Sequence, residues 1–202
     1  PEEYSHLYMA IEGKLAAVIC IEDPLREEAA EVIKELREAG LSKIVMMTGD
    51  SERTAAAIAK RVGVDEYYSE VLPEDKASFV EKEKELGHKV IMIGDGINDS
   101  LALSSASVGI AISDGAAIAR EIADVTISAD NLHEIVTLKR LSTALMKRIH
   151  NNYRTIIGIN GGLIALGVTG IIMPTTSALL HNMSTLTISL RSMRNLLPKE
   201  EE

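Results

Sequence analysis

The chain has 202 residues and a formal net charge of −9, and its sequence pI is near 5.1. A nucleic-acid-binding surface needs a basic face, so this charge argues against a nucleic-acid partner. Aromatic side chains are also too few for base stacking, with no Trp and one Phe. The single cysteine, Cys20, lies in an apolar run, which favours a buried hydrophobic role over a nucleophile or disulfide partner.

The N-terminal region, up to residue 137, alternates strand-like and helix-like segments. Two apolar segments, residues 6–11 and Lys14–Ile21, bracket a glycine-containing turn and predict a β-hairpin. Pro24 opens a predicted amphipathic helix that ends at Gly40. From residue 43 to residue 128, short apolar segments alternate with helical periodicity. This alternation predicts an α/β domain with a mostly parallel sheet and right-handed crossovers.

Three polar clusters follow apolar segments, at the loops where such sheets bind ligands. They are Thr48-Gly49-Asp50, Pro73-Glu74-Asp75-Lys76 and Gly94-Asp95-Gly96-Ile97-Asn98-Asp99. Two carboxylates on a tight turn, Asp95 and Asp99, can hold Mg²⁺ and so neutralise phosphate charge. Thr48 can donate to a phosphoryl oxygen, and Lys76 can neutralise developing charge. Together the clusters predict a phosphoryl-transfer site.

Each cluster alone also has an ordinary structural interpretation. The first could be a turn with Asp50 as a helix N-cap, Lys76 could be a solvated surface lysine, and Gly-Asp-Gly could close a hairpin. Asp114-Gly115 is interpreted as a common turn. Clustered carboxylates repel one another unless a cation compensates them, so a purely structural role for Asp95 and Asp99 would be costly.

A long uncharged span follows this region. Residues 155–190 contain no Asp, Glu, Lys or Arg, and the span is close to twice the roughly 20 residues that cross a bilayer. It predicts a membrane hairpin with helices over residues 153–172 and 174–197. Lys and Arg flank both ends while the loop is uncharged, so the positive-inside rule places both ends in the cytoplasm. A buried soluble helical hairpin is the alternative.

In order and spacing, the three clusters resemble the motifs of P-type cation-transporting ATPases, with Met47 preceding Thr48-Gly49-Asp50. Asp23-Pro24-Leu25-Arg26 and residues 102–112 fit the same pattern, so the resemblance covers nearly the whole chain. The haloacid-dehalogenase superfamily at large shares a looser version of these motifs.

The resemblance implies a haloacid-dehalogenase-like parallel sheet with flanking helices that lacks its first strand, followed by a two-helix transmembrane hairpin. The corresponding divisions are the C-terminal part of a phosphorylation domain (residues 1–137), a cytoplasmic linker helix (138–154), two transmembrane helices (155–197) and a cytoplasmic tail (198–202). The expected location is the cell membrane, with several passes through it in the whole protein.

The resemblance also implies roles for the polar clusters, with ATP and Mg²⁺ as cofactors. Thr48 and Lys76 would contact an aspartyl phosphate, and Asp95 would ligate Mg²⁺. The other residues implied in the network around metal, phosphate and nucleotide are Gly49, Asp50, Asn98 and Asp99, the last as a second Mg²⁺ ligand.

The nucleophile motif of this family, Asp-Lys-Thr-Gly-Thr, does not occur in the sequence, and neither does Asp-x-Asp. Covalent catalysis through an aspartyl phosphate therefore cannot be performed by these residues alone. Because the sequence also begins without an initiator Met, we expect the C-terminal part of a longer pump, inactive without its remaining domains.

One hairpin at this position matches the heavy-metal-transporting branch, which implies a transition-metal ion as cargo, with a divalent ion favoured. Polar side chains are costly inside a bilayer, so their presence in a membrane helix indicates a function. Candidate ligands for the transported ion are His181, Met183, Ser184 and Asn160. The pattern around His181 is most similar to that of cobalt-, zinc- or iron-type members, but Asn182 replaces an acid of that pattern and Arg191 replaces a common Asn, so the ion stays open. As an alternative to ion binding, Ser184 and Asn160 could simply bond across helices.

The leading hypothesis is thus that the chain is part of an ATP-driven transition-metal exporter. Its partners would be the lipid bilayer and the rest of the pump. Two alternatives stay open. A membrane-tethered phosphatase of the haloacid-dehalogenase type would need a nucleophilic aspartate upstream. A non-catalytic membrane protein reusing the fold is disfavoured because Thr48, Lys76, Asp95 and Asp99 occur together.

Overall fold

A computed structural model describes most of the chain, namely residues 5–21, 25–95, 98–112, 121–128 and 131–196. The chain divides into two compact units, Pro1–Val136 and Thr137–Glu202. Several sequence predictions lie outside the described residues: the helix start at Pro24, residues Gly96 and Ile97 of the third cluster, the Asp114-Gly115 turn and the tail over residues 198–202.

The first unit opens with the predicted antiparallel hairpin, formed by β1 (Ser5–Ile11) and β2 (Lys14–Ile21). Most of its apolar side chains are exposed. Cys20 is exposed as well, so the prediction of a buried cysteine is wrong. The reason is that, within the described residues, this two-stranded ribbon pairs with no further strand and most of its apolar side chains stay uncovered.

The next segment builds a first parallel pair of strands. Helix α1 (Ala29–Glu38) precedes β3 (Val45–Met47), and α2 (Glu52–Val62) connects β3 to β4 (Glu66–Tyr68), which pairs with β3 in parallel. A helical connection is what parallel pairing requires, because a tight turn cannot return the chain to the same end of the sheet.

A second parallel sheet follows. After α3 (Pro73–Glu85), strand β5 (Ile91–Gly94) pairs with β6 (Val108–Ile112) across the short helix α4 (Ser100–Ser105). Strand β7 (Val125–Ile127) extends this sheet beside β6. The predicted α/β architecture with parallel strands is confirmed.

The parallel strands form two sheets, in the orders β3-β4 and β5-β6-β7, instead of one. Within the described residues, β3 and β5 each have a single neighbour, so each leaves one backbone edge for another strand. Side chains connect the two sheets, since Met47 of β3 packs against the buried cluster of Val80, Met92, Ala102 and Leu103. This arrangement agrees with a sheet that lacks one strand.

The second unit contains α5 (His133–Val168), which begins just before it, and α6 (Pro174–Ser192). Hydrogen bonds from Asn152 to Ser192 and between Asn160 and His181 show that the two helices run antiparallel. Between them the chain turns at Gly170, whose φ of 72° is a left-handed conformation that glycine adopts without strain.

The helix limits differ from the sequence prediction. The predicted linker helix is continuous with the first hairpin helix, which ends at Val168 and not at residue 172, and the second helix ends at Ser192 and not at residue 197. The uncharged part of the first helix is therefore shorter than predicted, while that of the second, residues 174–190, is unchanged. In the described part of the chain, no helix combines the length and the apolarity needed to cross a bilayer. The prediction of a helical hairpin is confirmed, whereas the prediction that this hairpin spans the membrane is not confirmed.

Candidate functional site

The central feature of the first unit is an ion pair between Lys76 of α3 and Asp99, the residue that precedes α4. The Lys76 Nζ atom donates to Asp99 Oδ1 over 2.7 Å. The two side chains are only 14% and 12% exposed. The interpretation of Lys76 as a solvated surface lysine is therefore wrong. A largely buried pair is costly to desolvate and needs good geometry, so its presence points to a role other than stability.

Gly94, the last residue of β5, makes room for this pair. A Cβ atom at position 94 would overlap the Asp99 carboxylate and would lie 2.7 Å from Asp99 Cβ. The Asp99 backbone is fixed in turn, because its carbonyl accepts the first hydrogen bond of α4, from the Leu103 N–H. The glycine thus lets the end of the strand and the carboxylate meet closely, a requirement that the sequence motif alone did not explain.

Asp95 follows Gly94 directly, and its side chain is exposed at the end of β5, as is that of Asn98. Mg²⁺ is usually held by one or two carboxylates together with phosphate oxygens and water. An exposed Asp95 beside a lysine-paired Asp99 fits that donor set. Among the described residues, no group of three or more His, Cys, Asp or Glu side chains could enclose a metal ion by itself.

The second predicted cluster lies in the loop after β3. Thr48 Oγ1 donates to Asp50 Oδ2 over 2.7 Å, and the Asp50 N–H donates back to Thr48 Oγ1 over 3.1 Å. Asp50 does not cap α2, since the N-cap residue is Ser51. Gly49 has no steric need for glycine, because the nearest atom to an added Cβ would be the Val71 carbonyl oxygen at 4.0 Å.

Backbone hydrogen bonds hold this loop against the one that follows β4. The Val71 N–H donates to the Thr48 carbonyl over 3.0 Å, and the Glu70 N–H donates to the Asp50 carbonyl over 2.9 Å. Glu70 itself has a φ of 53°, a left-handed conformation that is uncommon for a residue other than glycine. The two loops therefore position Thr48 and Asp50 as one unit.

Sequence reasoning missed the group that anchors this unit to α2. Glu52 accepts hydrogen bonds from Ser69 Oγ over 2.6 Å and from the Tyr67 hydroxyl over 2.8 Å. The bonds from Ser69 and then Tyr67 hold the pKa of the Glu52 carboxyl below its usual range. No sequence motif marks this contact, because its partners are separated along the chain and meet only in the fold.

The structure thus brings the predicted residues together as two pairs, Thr48 with Asp50 and Lys76 with Asp99. Among the hydrogen bonds of the described residues, none joins one pair to the other. Thr48 and Asp50 follow the end of β3, and Asp99 follows the end of β5. Within the described residues each of these strands has one open edge, as do the outer strands β4 and β7.

The predicted ion ligands of the second unit are arranged differently. His181 Nδ1 and Asn160 Oδ1 are 2.8 Å apart, so these two candidates do meet across the hairpin. Ser184 Oγ instead donates to the carbonyl of His181 on its own helix, and Met183 is exposed. The described residues therefore unite two of the four candidates.

Comparisons with known proteins identify the family of the chain. A family model described as haloacid dehalogenase-like hydrolase matches residues 2–107. The chain is 39% identical, over 93% of its length, to a zinc-exporting P-type ATPase of Mycobacterium marinum, and 43% identical, over 87%, to copper-transporting ATPase 2 of Rhizobium meliloti. It spans only 26% and 21% of these two relatives.

A solved structure gives the same result. The crystal structure of a zinc-transporting PIB-type ATPase in its E2.Pi state matches 98% of this chain, at a TM-score of 0.84 and 31% identity, and the match covers 32% of that protein. The resemblance predicted from the sequence motifs, to heavy-metal P-type ATPases, is confirmed.

Proposed function

Because the chain belongs to the haloacid dehalogenase-like hydrolase family, we propose that it forms the magnesium- and phosphate-binding side of an aspartyl-phosphate site in an ATP-driven transition-metal pump. The observation that carries this proposal is the buried Lys76–Asp99 pair, packed on Gly94 beside the exposed Asp95. A cation and two carboxylates converge there at the end of one strand.

Each residue has a task in this proposal. Asp95, with Asp99 behind it, holds Mg²⁺, which when bound supplies charge that neutralises phosphoryl oxygens. The Lys76 ammonium contributes a fixed positive charge, and Asp99 orients it through the 2.7 Å hydrogen bond. Thr48 would turn its hydroxyl from Asp50 to a phosphoryl oxygen, while Gly49, Asp50 and Asn98 line the approach of phosphate and nucleotide.

The nucleophile has to come from outside these 202 residues, because the sequence lacks the motif that would supply it. An aspartate placed between the ends of β3 and β5 would face Thr48 on one side and Asp95 on the other. Thr48, Lys76 and Asp95 would then stabilise the transferred phosphate without forming the covalent bond, so the chain alone is expected to be inactive.

We further propose that the α5–α6 hairpin lies in the cell membrane with both ends cytoplasmic. Cationic residues flank the uncharged residues 155–190 on both sides, and the match to the zinc-transporting ATPase extends over 98% of the chain. The cargo would be a transition-metal ion, with a divalent ion favoured, contacted by His181 and Asn160. Met183 and Ser184 are weaker candidates, because among the described residues neither side chain has a hydrogen bond to the opposite helix, and Ser184 Oγ donates to the His181 carbonyl of its own helix.

The test uses a full-length pump that contains this chain. Asp95→Asn should lower Mg²⁺-dependent phosphoenzyme formation from ATP by at least about a hundredfold, because a charged metal ligand is lost. Glu85→Gln, which removes an exposed charge near the end of α3, is the matched control and should leave phosphorylation unchanged. Normal phosphoenzyme levels in Asp95→Asn would exclude the proposed role.

A further inference from the structure

A basic cavity at the open end of the α5–α6 hairpin is not used by the proposed phosphoryl chemistry. Its volume is about 350 Å³, within the range of small-ligand sites. Four cationic side chains and three asparagines account for most of its lining: Lys147, Arg148, Arg191, Arg194, Asn151, Asn152 and Asn195. None of the residues that line it is acidic.

The charge around this cavity runs opposite to that of the chain as a whole. The sequence has a net charge of −9, yet no Asp or Glu occurs anywhere in residues 135–199. A cleft lined by one sign of charge concentrates ions of the other sign. This cavity therefore attracts anions in a chain that otherwise repels them.

One of the four cations is structural, and it shapes the cavity. Arg148 of α5 donates to the carbonyl of Ser192 over 2.9 Å, to that of Asn195 over 3.0 Å and to that of Arg194. Asn152 adds a hydrogen bond to Ser192 Oγ over 2.7 Å. These contacts fix the end of α6 against α5, and they also offset the partial negative charge of its last carbonyls.

The other three cations, Lys147, Arg191 and Arg194, are exposed at the cavity, and within the described residues their side chains make no hydrogen bond or ion pair. Like charges that line one cavity repel unless an anion lies between them. Arginine and lysine donors with amide groups beside them match the oxygens of a phosphate group.

We propose that this cavity binds a phosphate group, and that in the cell this group is the headgroup of an anionic phospholipid. The cavity lies where cationic residues flank the uncharged part of the hairpin, and basic pockets at such a boundary suit lipid headgroups. Only the choice of a lipid source rests on the proposed membrane location; inorganic phosphate would share the same chemistry.

The test measures binding by calorimetry with the 202-residue chain in a neutral detergent, so that it does not depend on membrane insertion. The probes are short-chain phosphatidylglycerol, short-chain phosphatidylcholine and inorganic phosphate. Lys147→Gln, Arg191→Gln and Arg194→Gln combined should weaken phosphatidylglycerol binding about a hundredfold, on the order of fivefold for each cation removed.

The control is a triple variant with the same loss of charge outside the cavity: Lys139→Gln, Arg140→Gln and Arg154→Gln. It should change binding by less than about threefold. Circular dichroism measures the helix content and so verifies that both triple variants fold. If either does not fold, the single variant Arg191→Gln is compared with the single control Arg154→Gln.

Each outcome decides the proposal. Phosphatidylglycerol binding that is lost only in the cavity variant supports the lipid headgroup. Inorganic phosphate binding that is lost in the same way, without a preference for the lipid, supports the phosphate site and assigns it to free phosphate. Equal losses in both triple variants, equal binding of phosphatidylcholine, or no binding of any probe would overturn the proposal, and none of these results bears on phosphoenzyme formation.

Discussion

The polar residues of the first unit and those of the α5–α6 hairpin are both predicted to bind charged ligands, but they are arranged in different ways. Lys76 and Asp99 come from separate elements, meet over 2.7 Å and are largely buried. On the hairpin, Ser184 bonds to its own helix and Met183 is exposed. Among the four candidate ion ligands, all of them described residues, only His181 and Asn160 meet in a hydrogen-bond contact between the two helices.

The difference follows from the two kinds of secondary structure. The ends of parallel strands and the starts of the helices that follow them converge on one edge of a sheet, so short motifs there are brought together by the fold. Polar residues along one helix are spread over its surface, and Ser and Thr readily bond to carbonyls one turn back. A functional motif is therefore a stronger indication at strand ends than on a helix face.

The largest expected effect comes from removing one partner of the buried Lys76–Asp99 pair. Lys76→Met should lower the free energy of unfolding of the chain by about 3 kcal/mol, because it leaves the buried Asp99 carboxylate without its cation. Chemical denaturation measures this loss. Lys43→Met removes one partner of the exposed Lys43–Glu66 pair, whose side chains are 39% and 46% exposed, and should have a clearly smaller effect, because water screens an exposed ion pair. Equal effects would mean that the two pairs do not differ as described.

A smaller effect is expected at the glycine that admits Asp99. Gly94→Ala should lower the free energy of unfolding by about 2 kcal/mol, since its Cβ would overlap the Asp99 carboxylate. Gly49→Ala is the matched control in the neighbouring cluster, where an added Cβ has room, and its effect should stay within about 1 kcal/mol. If both variants unfold alike, the close approach at Gly94 is not a constraint.

Metal binding tests the contact between His181 and Asn160 on the α5–α6 hairpin. Zn²⁺ titrated into the detergent-solubilised chain should bind about tenfold more weakly to His181→Ala, since that variant loses an imidazole ligand. His150→Ala, a histidine of α5 that contacts the Met146 carbonyl, is the control and should bind as the unmodified chain does. Zn²⁺ affinity that is independent of His181 would remove this residue from the candidate ion site.

Some features of the fold and of the site could be predicted from the sequence, and others could not. The alternation of segments was sufficient for the fold class, and the motifs around Thr48, Lys76 and Asp95 were sufficient for the family resemblance, because each motif is local. The roles of these residues in a phosphate site stay a prediction. The separation of β3 from β5 and the contact between Gly94 and Asp99 depend on tertiary packing. The exposure of Cys20 was missed because an apolar run predicts a strand but not whether a second layer covers it.

The smallest effect concerns the contact that holds the Thr48–Asp50 loop on α2. The pKa of Glu52 is lowered in the folded chain, first by the hydrogen bond from Ser69 and then by that from Tyr67. A lowered folded-state pKa contributes stability above the unfolded pKa of about 4.3, and this contribution is lost as the pH falls through the folded value. Glu52→Gln should therefore destabilise the chain slightly at pH 7 and have a diminishing effect below about pH 4. Thermal unfolding at several pH values measures this difference, with the exposed Glu38→Gln as a control. A Glu52→Gln effect that is the same at pH 3 and pH 7 would show that the charge of Glu52 does not hold this loop.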